Sequence, residues 1–150
     1  MKHPSSVRIE SEQSRNAETL ATVQAGLRRH NDSHVPREEY VDLTIVARND
    51  QDQVIGALLG ETGRGWLHVD VVWVDEHARS QRIGSQLVEA AEAEAVRRGC
   101  HSAYLDTFSY QAKPFYEKLG YTLFGMLDDY PPGYQRFYMQ KRLGERPIGG

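Results

Sequence analysis

The segment of residues 71–87 carries residue types that could hold a phosphorylated ligand. An apolar run is followed by the sequence RSQRIGS at residues 79–85, and then by a pattern typical of a helix. The first backbone N–H groups of a helix have no intrahelical acceptor, and the helix dipole adds partial positive charge there. Gly84 lets a ligand approach the backbone closely, and Arg79 and Arg82 add positive charge. This combination predicts a cradle for a phosphate or diphosphate.

Two better-known phosphate-binding patterns do not fit this segment. It lacks the Lys-Ser/Thr ending of a P-loop and the three glycines of the dinucleotide fingerprint. A nucleoside triphosphate site or an NAD site is therefore poorly supported. On these local features alone, an ordinary capped surface helix with solvated arginines fits about as well as an anion site.

Two motifs resemble those of one enzyme family. The sequence VVWVD at residues 71–75, followed by RSQRIGS, resembles motif A of the GNAT N-acetyltransferases, whose pattern is Gln/Arg-x-x-Gly-x-Gly/Ala. Arg79 takes the first position and Gly84 the last, while Arg82 stands where the family has its middle glycine. A second stretch, AKPFYEKLGY at residues 112–121, is similar to the family segment Ala-x-x-Phe-Tyr-Glu-Lys-x-Gly-Phe.

The predicted elements place both motifs in a mixed α/β (α+β) domain. Alternation and turn residues predict strands at residues 7–10, 42–48, 54–59, 66–74, 102–107, 121–127 and 134–141. Helical periodicity predicts helices near residues 17–27, 81–98 and 114–119, the first capped by Ser14. The resemblance implies a mixed central sheet of six to seven strands, flanked by about four helices. The length of 150 residues suits a single domain over residues 1–150.

The resemblance also implies where acetyl-CoA, the cosubstrate of the family, would lie. Its pyrophosphate is expected at Arg79, Gln81, Arg82, Ile83, Gly84 and Ser85. Its pantetheine arm is expected to pair with the backbone of Val72 and Val74, at the splayed end of the third long strand. An amide near Val72 would donate to the thioester carbonyl and stabilise the oxyanion. Ser109, which stands where the family often has an asparagine, is assigned to the same site.

Tyr116 matches the family tyrosine that protonates the departing CoA thiolate. A phenol has an ordinary pKa of about 10 and is a suitable donor to a thiolate. The acceptor amine must first lose a proton, because a lysine-like amine has a pKa of about 10.4. Asp70 and Glu61 are candidate bases for this step, His68 is a third, and a chain of water molecules is the alternative.

The predicted activity is acetyl-CoA-dependent N-acetylation, in which a primary amine attacks the thioester directly. The amine would belong to a small molecule or a peptide, and residues 128–134 and 29–40 are expected to form its pocket. The alternative is a non-catalytic CoA-binding regulatory module. The replaced middle glycine permits that alternative, and Tyr116 argues against it. A homodimer, common in the family, is left open.

Composition and charge narrow the range of partners. The 150 residues include 18 basic and 21 acidic ones, so the net charge is −3 and no global basic field favours nucleic acid. No apolar run approaches the ~20 residues that cross a bilayer, so no membrane partner is predicted. Without the apolar region of a signal peptide, the expected location is cytoplasmic. His30 and His34 have no third ligand nearby, and no metal is predicted.

Overall fold

The computed structural model describes residues 6–144. The chain divides into two compact units, Met1–Arg37 and Glu38–Gly150. None of the helices within the described range is long and apolar enough to span a bilayer. The single domain over residues 1–150 stays a prediction.

The first unit contains helix α1, Ala17–Asp32. Its N-cap is Asn16, whose side chain accepts hydrogen bonds from the backbone N–H groups of Glu18 at 2.9 Å and Thr19 at 3.2 Å. The predicted cap at Ser14 is therefore wrong. Asn16 has the extended backbone that brings a capping oxygen over the first turn, and it satisfies two otherwise unpaired donors there.

The predicted first strand at residues 7–10 is also wrong, because the structure assigns this segment no regular element. Val7 and Ile9, whose alternation suggested the strand, are 82% and 92% exposed. A strand gains its stability from pairing and from burying one face. Exposed side chains supply no such burial.

The second unit is built on a six-stranded mixed sheet in the order β1-β2-β3-β4-β6-β5. The strands are β1 (Val41–Arg48), β2 (Val54–Gly63), β3 (Trp66–Val74), β4 (Ser102–Phe108), β5 (Thr122–Asp128) and β6 (Gln135–Arg142). β3 and β4 pair in parallel, and the other neighbours are antiparallel. A 3₁₀ turn, Glu76–Gln81, and helix α2, Ile83–Arg97, connect β3 to β4; helix α3, Lys113–Lys118, follows β4. The predicted mixed fold is confirmed.

One face of the sheet packs against α2 and forms the core. The strands contribute the buried side chains of Leu43, Leu58, Leu67, Val69, Leu105 and Met139 to this core, and α2 contributes those of Leu87, Val88 and Ala91. The opposite side, which we call the second face, carries a row of polar side chains that crosses five strands. In order across the sheet, the row is Asp42, Glu61, His68, Tyr104 and Gln140.

β3 parts from β4 halfway along its length. The parallel ladder ends where Val69 faces Leu105, and both strands continue beyond that point. On its other edge, β3 stays paired with β2 as far as Val74. The result is a strand with one edge free over its last residues, next to the turn that leads to α2.

A β-bulge at Asp70 lies at the point where β3 separates from β4. Val69 faces Gly60 and Val71 faces Leu59, so Asp70 is an extra residue in β3. A bulge bends its strand and increases the local twist. A Cβ on Gly60 would overlap the backbone carbonyl oxygen of His68, so this position requires glycine.

The bulge also changes which residues of β3 face the core. Before it, Leu67 and Val69 are buried against α2. After it, Val72 and Val74 pack against the core cluster, while Trp73 lies half-exposed on the second face. The extra residue therefore sets the direction of every later side chain in the strand.

We predict that Gly60→Ala lowers the free energy of unfolding by about 1–3 kcal/mol, because the added methyl group meets rigid backbone. Gly125→Ala is the matched control, since a Cβ there makes only ordinary contact with Tyr138, at 3.8 Å. Urea denaturation of both variants measures the difference. A Gly60→Ala protein as stable as the parent would show that the bulge tolerates a side chain.

Candidate active site

A cleft of about 470 Å³ lies where β3 leaves β4. Its walls come from the end of β3, the turn after it, the start of α2, and α3. The lining residues are Val72, Trp73, Val74, Arg79, Arg82, Gly84, Ser85, Ala112, Phe115 and Tyr116. The fold thus brings the two sequence motifs, about 30 residues apart in the chain, to one site.

The start of α2 provides backbone donors at one end of this cleft. Its N-cap residue is Arg82, which makes no side-chain capping hydrogen bond, and the first turn contains no acidic residue. The N–H groups of that turn therefore keep their capacity to bind an anion, and the helix dipole favours negative charge beside them.

Two arginines add positive charge to the same end. Arg79 and Arg82 are exposed and line the cleft. The Nε of Arg79 donates to the backbone carbonyl of Val74 at 3.4 Å, which ties the turn to the end of β3. The combination of donors and cations suits a diphosphate.

Arg82 has a backbone conformation that glycine would adopt more easily. Its φ and ψ are 57° and 27°, in the left-handed region. A non-glycine residue there costs about 1–2 kcal/mol. Arg82 therefore takes a backbone conformation that suits glycine, and it adds a guanidinium to the cleft.

Gly84 allows close packing inside the protein as well as access for a ligand. A Cβ at this position would lie 3.2 Å from Cζ of Phe115 and 3.8 Å from a methyl group of Val74. The ring of Phe115 thus rests almost directly on the helix backbone. This contact joins α3 to the start of α2 and fixes the width of the cleft.

Tyr116 is held between aromatic rings. It is 8% exposed, and its ring makes edge contacts with Phe115 and Tyr121 at centroid distances of 5.0 and 5.9 Å. Tyr121 is fixed in turn, since its hydroxyl donates to the buried Glu92 at 2.8 Å, and Lys141 donates to the same carboxylate at 2.8 Å. This network restricts the orientation of Tyr116.

Burial, together with the negative charge of Asp106, raises the pKa of Tyr116 to about 12. Tyr116 is therefore a neutral phenol at physiological pH and can donate its proton. Asp106 accepts a hydrogen bond from Nε of Arg136 at 2.7 Å. That guanidinium lies 4.8 Å from the ring centroid of Tyr130.

The candidate bases lie together on the second face. Asp70, Glu61 and His68 line a depression of about 360 Å³, together with Asp42. Nδ1 of His68 is 3.9 Å from a carboxylate oxygen of Glu61. Asp70, at the bulge, is two residues from Val72 in the cleft.

Three predicted cofactor residues take other positions. Gln81 is exposed and is not among the residues that line the cleft. Ile83 is buried in the core, so its backbone rather than its side chain is available to a ligand. The Oγ of Ser109 accepts from the backbone N–H of Gln135 at 3.1 Å, which joins the end of β4 to β6. Their roles with a cofactor stay predictions.

Other residues of the site were harder to predict from the sequence. Ala112 and Phe115 belong to the second motif, and Trp73 lies between two predicted residues, so all three were within reach of the sequence. The effect of Asp106 on Tyr116 depends on tertiary packing and has no local signal. Within residues 6–144, no group of three or more His, Cys, Asp or Glu side chains is arranged to hold a metal ion.

Comparison with known proteins gives consistent matches. The profile of the acetyltransferase (GNAT) family matches residues 9–121. An acetyltransferase of Agrobacterium fabrum is 42% identical over 102 residues, covering 68% of this chain and 74% of that protein. Blasticidin-S acetyltransferase of Streptomyces morookaense is 39% identical over 98 residues, covering 65% and 72%. The crystal structure of an acetyltransferase from Bacillus cereus has a TM-score of 0.81 at 29% identity, covering 89% and 98%.

We predict opposite effects of Arg82→Gly on stability and on binding. Relief of the left-handed backbone should raise the free energy of unfolding by about 1 kcal/mol. Loss of the guanidinium should weaken acetyl-CoA binding about tenfold, or 1.4 kcal/mol. Urea denaturation and calorimetry measure the two effects.

Arg82→Lys is the matched control, because it keeps the charge and the strain. It should bind acetyl-CoA nearly as well as the parent without the gain in stability. Unchanged affinity in Arg82→Gly would remove this side chain from the binding site.

Proposed function

The chain belongs to the GNAT acetyltransferase family and is an acetyl-CoA-dependent N-acetyltransferase, and from this premise we propose which residues perform the transfer. The observation that carries the proposal is the cleft between β3 and α2, which joins an anion-binding helix start to a buried, protonated tyrosine. The non-catalytic alternative loses its support, since the relatives named above are acetyltransferases.

The residues of the cleft suit each part of acetyl-CoA. The start of α2, with Arg79 and Arg82, would hold the diphosphate. The backbone of Val72 and Val74 would pair with the amides of the pantetheine arm, because β4 has already turned away from this part of β3. When bound, acetyl-CoA supplies the activated acyl group.

Tyr116 is proposed as the general acid. Its raised pKa of about 12 keeps it protonated, and its place in the wall of the cleft suits donation to the sulfur that departs. The ring contacts and the Tyr121–Glu92 hydrogen bond hold the phenol in position, so little reorganisation accompanies the proton transfer.

Asp70 and Glu61 are proposed to receive the proton of the acceptor amine, directly or through water. Asp70 follows Val69, the last residue of β3 that pairs with β4, and so lies where the free strand edge begins. Glu61 lies beside it in the same depression and also faces His68, which can pass a proton on.

The acceptor is proposed to be a small cationic amine. Asp42, Glu61 and Asp70 line the depression and would attract a protonated amine. Blasticidin-S acetyltransferase, named for a small-molecule substrate, supports a small molecule over a peptide. The contribution of residues 128–134 and 29–40 to the acceptor pocket, a cytoplasmic location, a homodimer and the exclusion of nucleic acid or membrane stay predictions.

We predict that Tyr116→Phe lowers kcat by about 10²–10⁴-fold, because the departing thiolate loses its proton donor. The dissociation constant for acetyl-CoA should remain within a factor of two or so, since the ring stays in place. Tyr110→Phe, which removes the hydroxyl of a 57% exposed tyrosine that is not among the residues lining the cleft, is the control. Steady-state kinetics and calorimetry give both quantities.

The pH profile tests the same assignment. A general acid is active below its pKa and loses activity as the pH rises through it. With a pKa of about 12, Tyr116 remains protonated at pH 10, so the parent enzyme should show no descending limb up to that pH. A fall in kcat centred near pH 10, or an unchanged kcat in Tyr116→Phe, would contradict the role of Tyr116.

A further inference from the structure

A second cavity, of about 340 Å³, lies on the second face of the sheet, away from the acetyl-CoA cleft. Four aromatic side chains line it: Tyr40, Trp66, Tyr104 and Phe124. Tyr40 precedes β1 and Phe124 belongs to β5, so the cavity extends across the sheet. Its volume is in the range of small-molecule sites, and aromatic walls with a few polar groups are typical of them.

The aromatic walls are held in place by packing. The ring of Trp66 makes an edge contact with Tyr104 at 5.9 Å, and His68 stacks on Tyr104 at 4.7 Å. Tyr40 rests against Gly63, where any Cβ would overlap its ring. These contacts leave flat ring faces at fixed positions, which suits a flat ligand.

The polar groups of the cavity are few and separated. Glu61 and His68 lie at one side, Gln140 at another, and Arg64 is exposed at the turn between β2 and β3. Burial and the charge of Glu61 raise the pKa of Tyr104, so its hydroxyl stays a donor. An amide, a guanidinium and a phenol could satisfy the polar edge of a ring, while the carboxylate of Glu61 favours a cation.

This cavity adjoins the depression that holds the candidate bases. Both are lined by Glu61 and His68. From Trp66 to Asp70 the strand advances about 13 Å, at roughly 3.3 Å per residue. An extended arm advances roughly 1.2 Å per bond, so about seven bonds from a ring seated among the aromatic side chains cover some 8 Å of this distance. The ring itself and a hydrogen bond of about 3 Å to Asp70 cover the rest.

We propose that the aromatic cavity is the distal subsite for the acceptor, and that the acceptor is an elongated amine with a flat aromatic or heteroaromatic ring at the end remote from the reacting nitrogen. This assignment rests on the proposed function. The ring stacks between Tyr40, Trp66 and Phe124, while Glu61 and Asp70 attract the cationic arm. The reacting amine then lies at the parting of β3 and β4.

Two matched amines test this assignment: 1,4-diaminobutane and its N-benzyl derivative, which differ by one ring. Calorimetry should show that the benzyl compound binds the parent enzyme about tenfold more tightly, and its KM should be lower by a similar factor. Phe124→Ala and Tyr40→Ala should each reduce this preference several-fold. Met126→Ala, which truncates a 51% exposed side chain on the same strand as Phe124, should keep it.

The outcomes of these experiments test the proposed subsite and the proposed acetyl transfer separately. Equal affinity of the parent enzyme for the two amines would overturn the subsite, and so would a preference that survives in both Phe124→Ala and Tyr40→Ala. Tight binding of the benzyl compound, with a preference lost in those variants but no release of CoA from acetyl-CoA in the presence of either amine, would support the subsite and contradict the proposed transfer.

Discussion

Beyond Val69, the edge of β3 that faced β4 has no neighbouring strand, and backbone N–H and C=O groups at such an edge need partners. The bulge at Asp70, and Gly60, which faces Val69, lie where this free edge begins. Because the turn to α2 follows at once, the free edge and the helix start lie in one cleft. The placement of a long ligand with amides in the middle and phosphates at one end depends on this arrangement.

The electrostatics of the site follow from the same geometry. At one end, backbone donors and two arginines face solvent and suit a diphosphate. At the other end, burial and the carboxylate of Asp106 keep Tyr116 protonated. The acidic side chains of Asp42, Glu61 and Asp70 line the depression on the second face of the sheet, where a cationic amine would approach. The two substrates are thus expected to approach from opposite faces of the sheet, attracted by opposite charges.

The local motifs could be predicted from the sequence, whereas the contacts between residues of different strands could not. The proposed phosphate-binding loop and the motif of Tyr116 are recognisable because the residues of each are close together in the chain. The bulge was missed because it depends on Gly60 in another strand, and the influence of Asp106 on Tyr116 depends on packing. The predicted strand at residues 7–10 failed because alternation of Val and Ile cannot reveal whether a sheet edge is available to it.

A crystal structure of the protein with acetyl-CoA bound tests the central claim most directly. The account predicts diphosphate oxygens within about 3.2 Å of backbone nitrogens at residues 83–85, and a pantetheine arm alongside Val72 and Val74. It also predicts the thioester sulfur within reach of the hydroxyl of Tyr116. Acetyl-CoA bound elsewhere, or a bound arm that leaves the free edge of β3 unpaired, would contradict it.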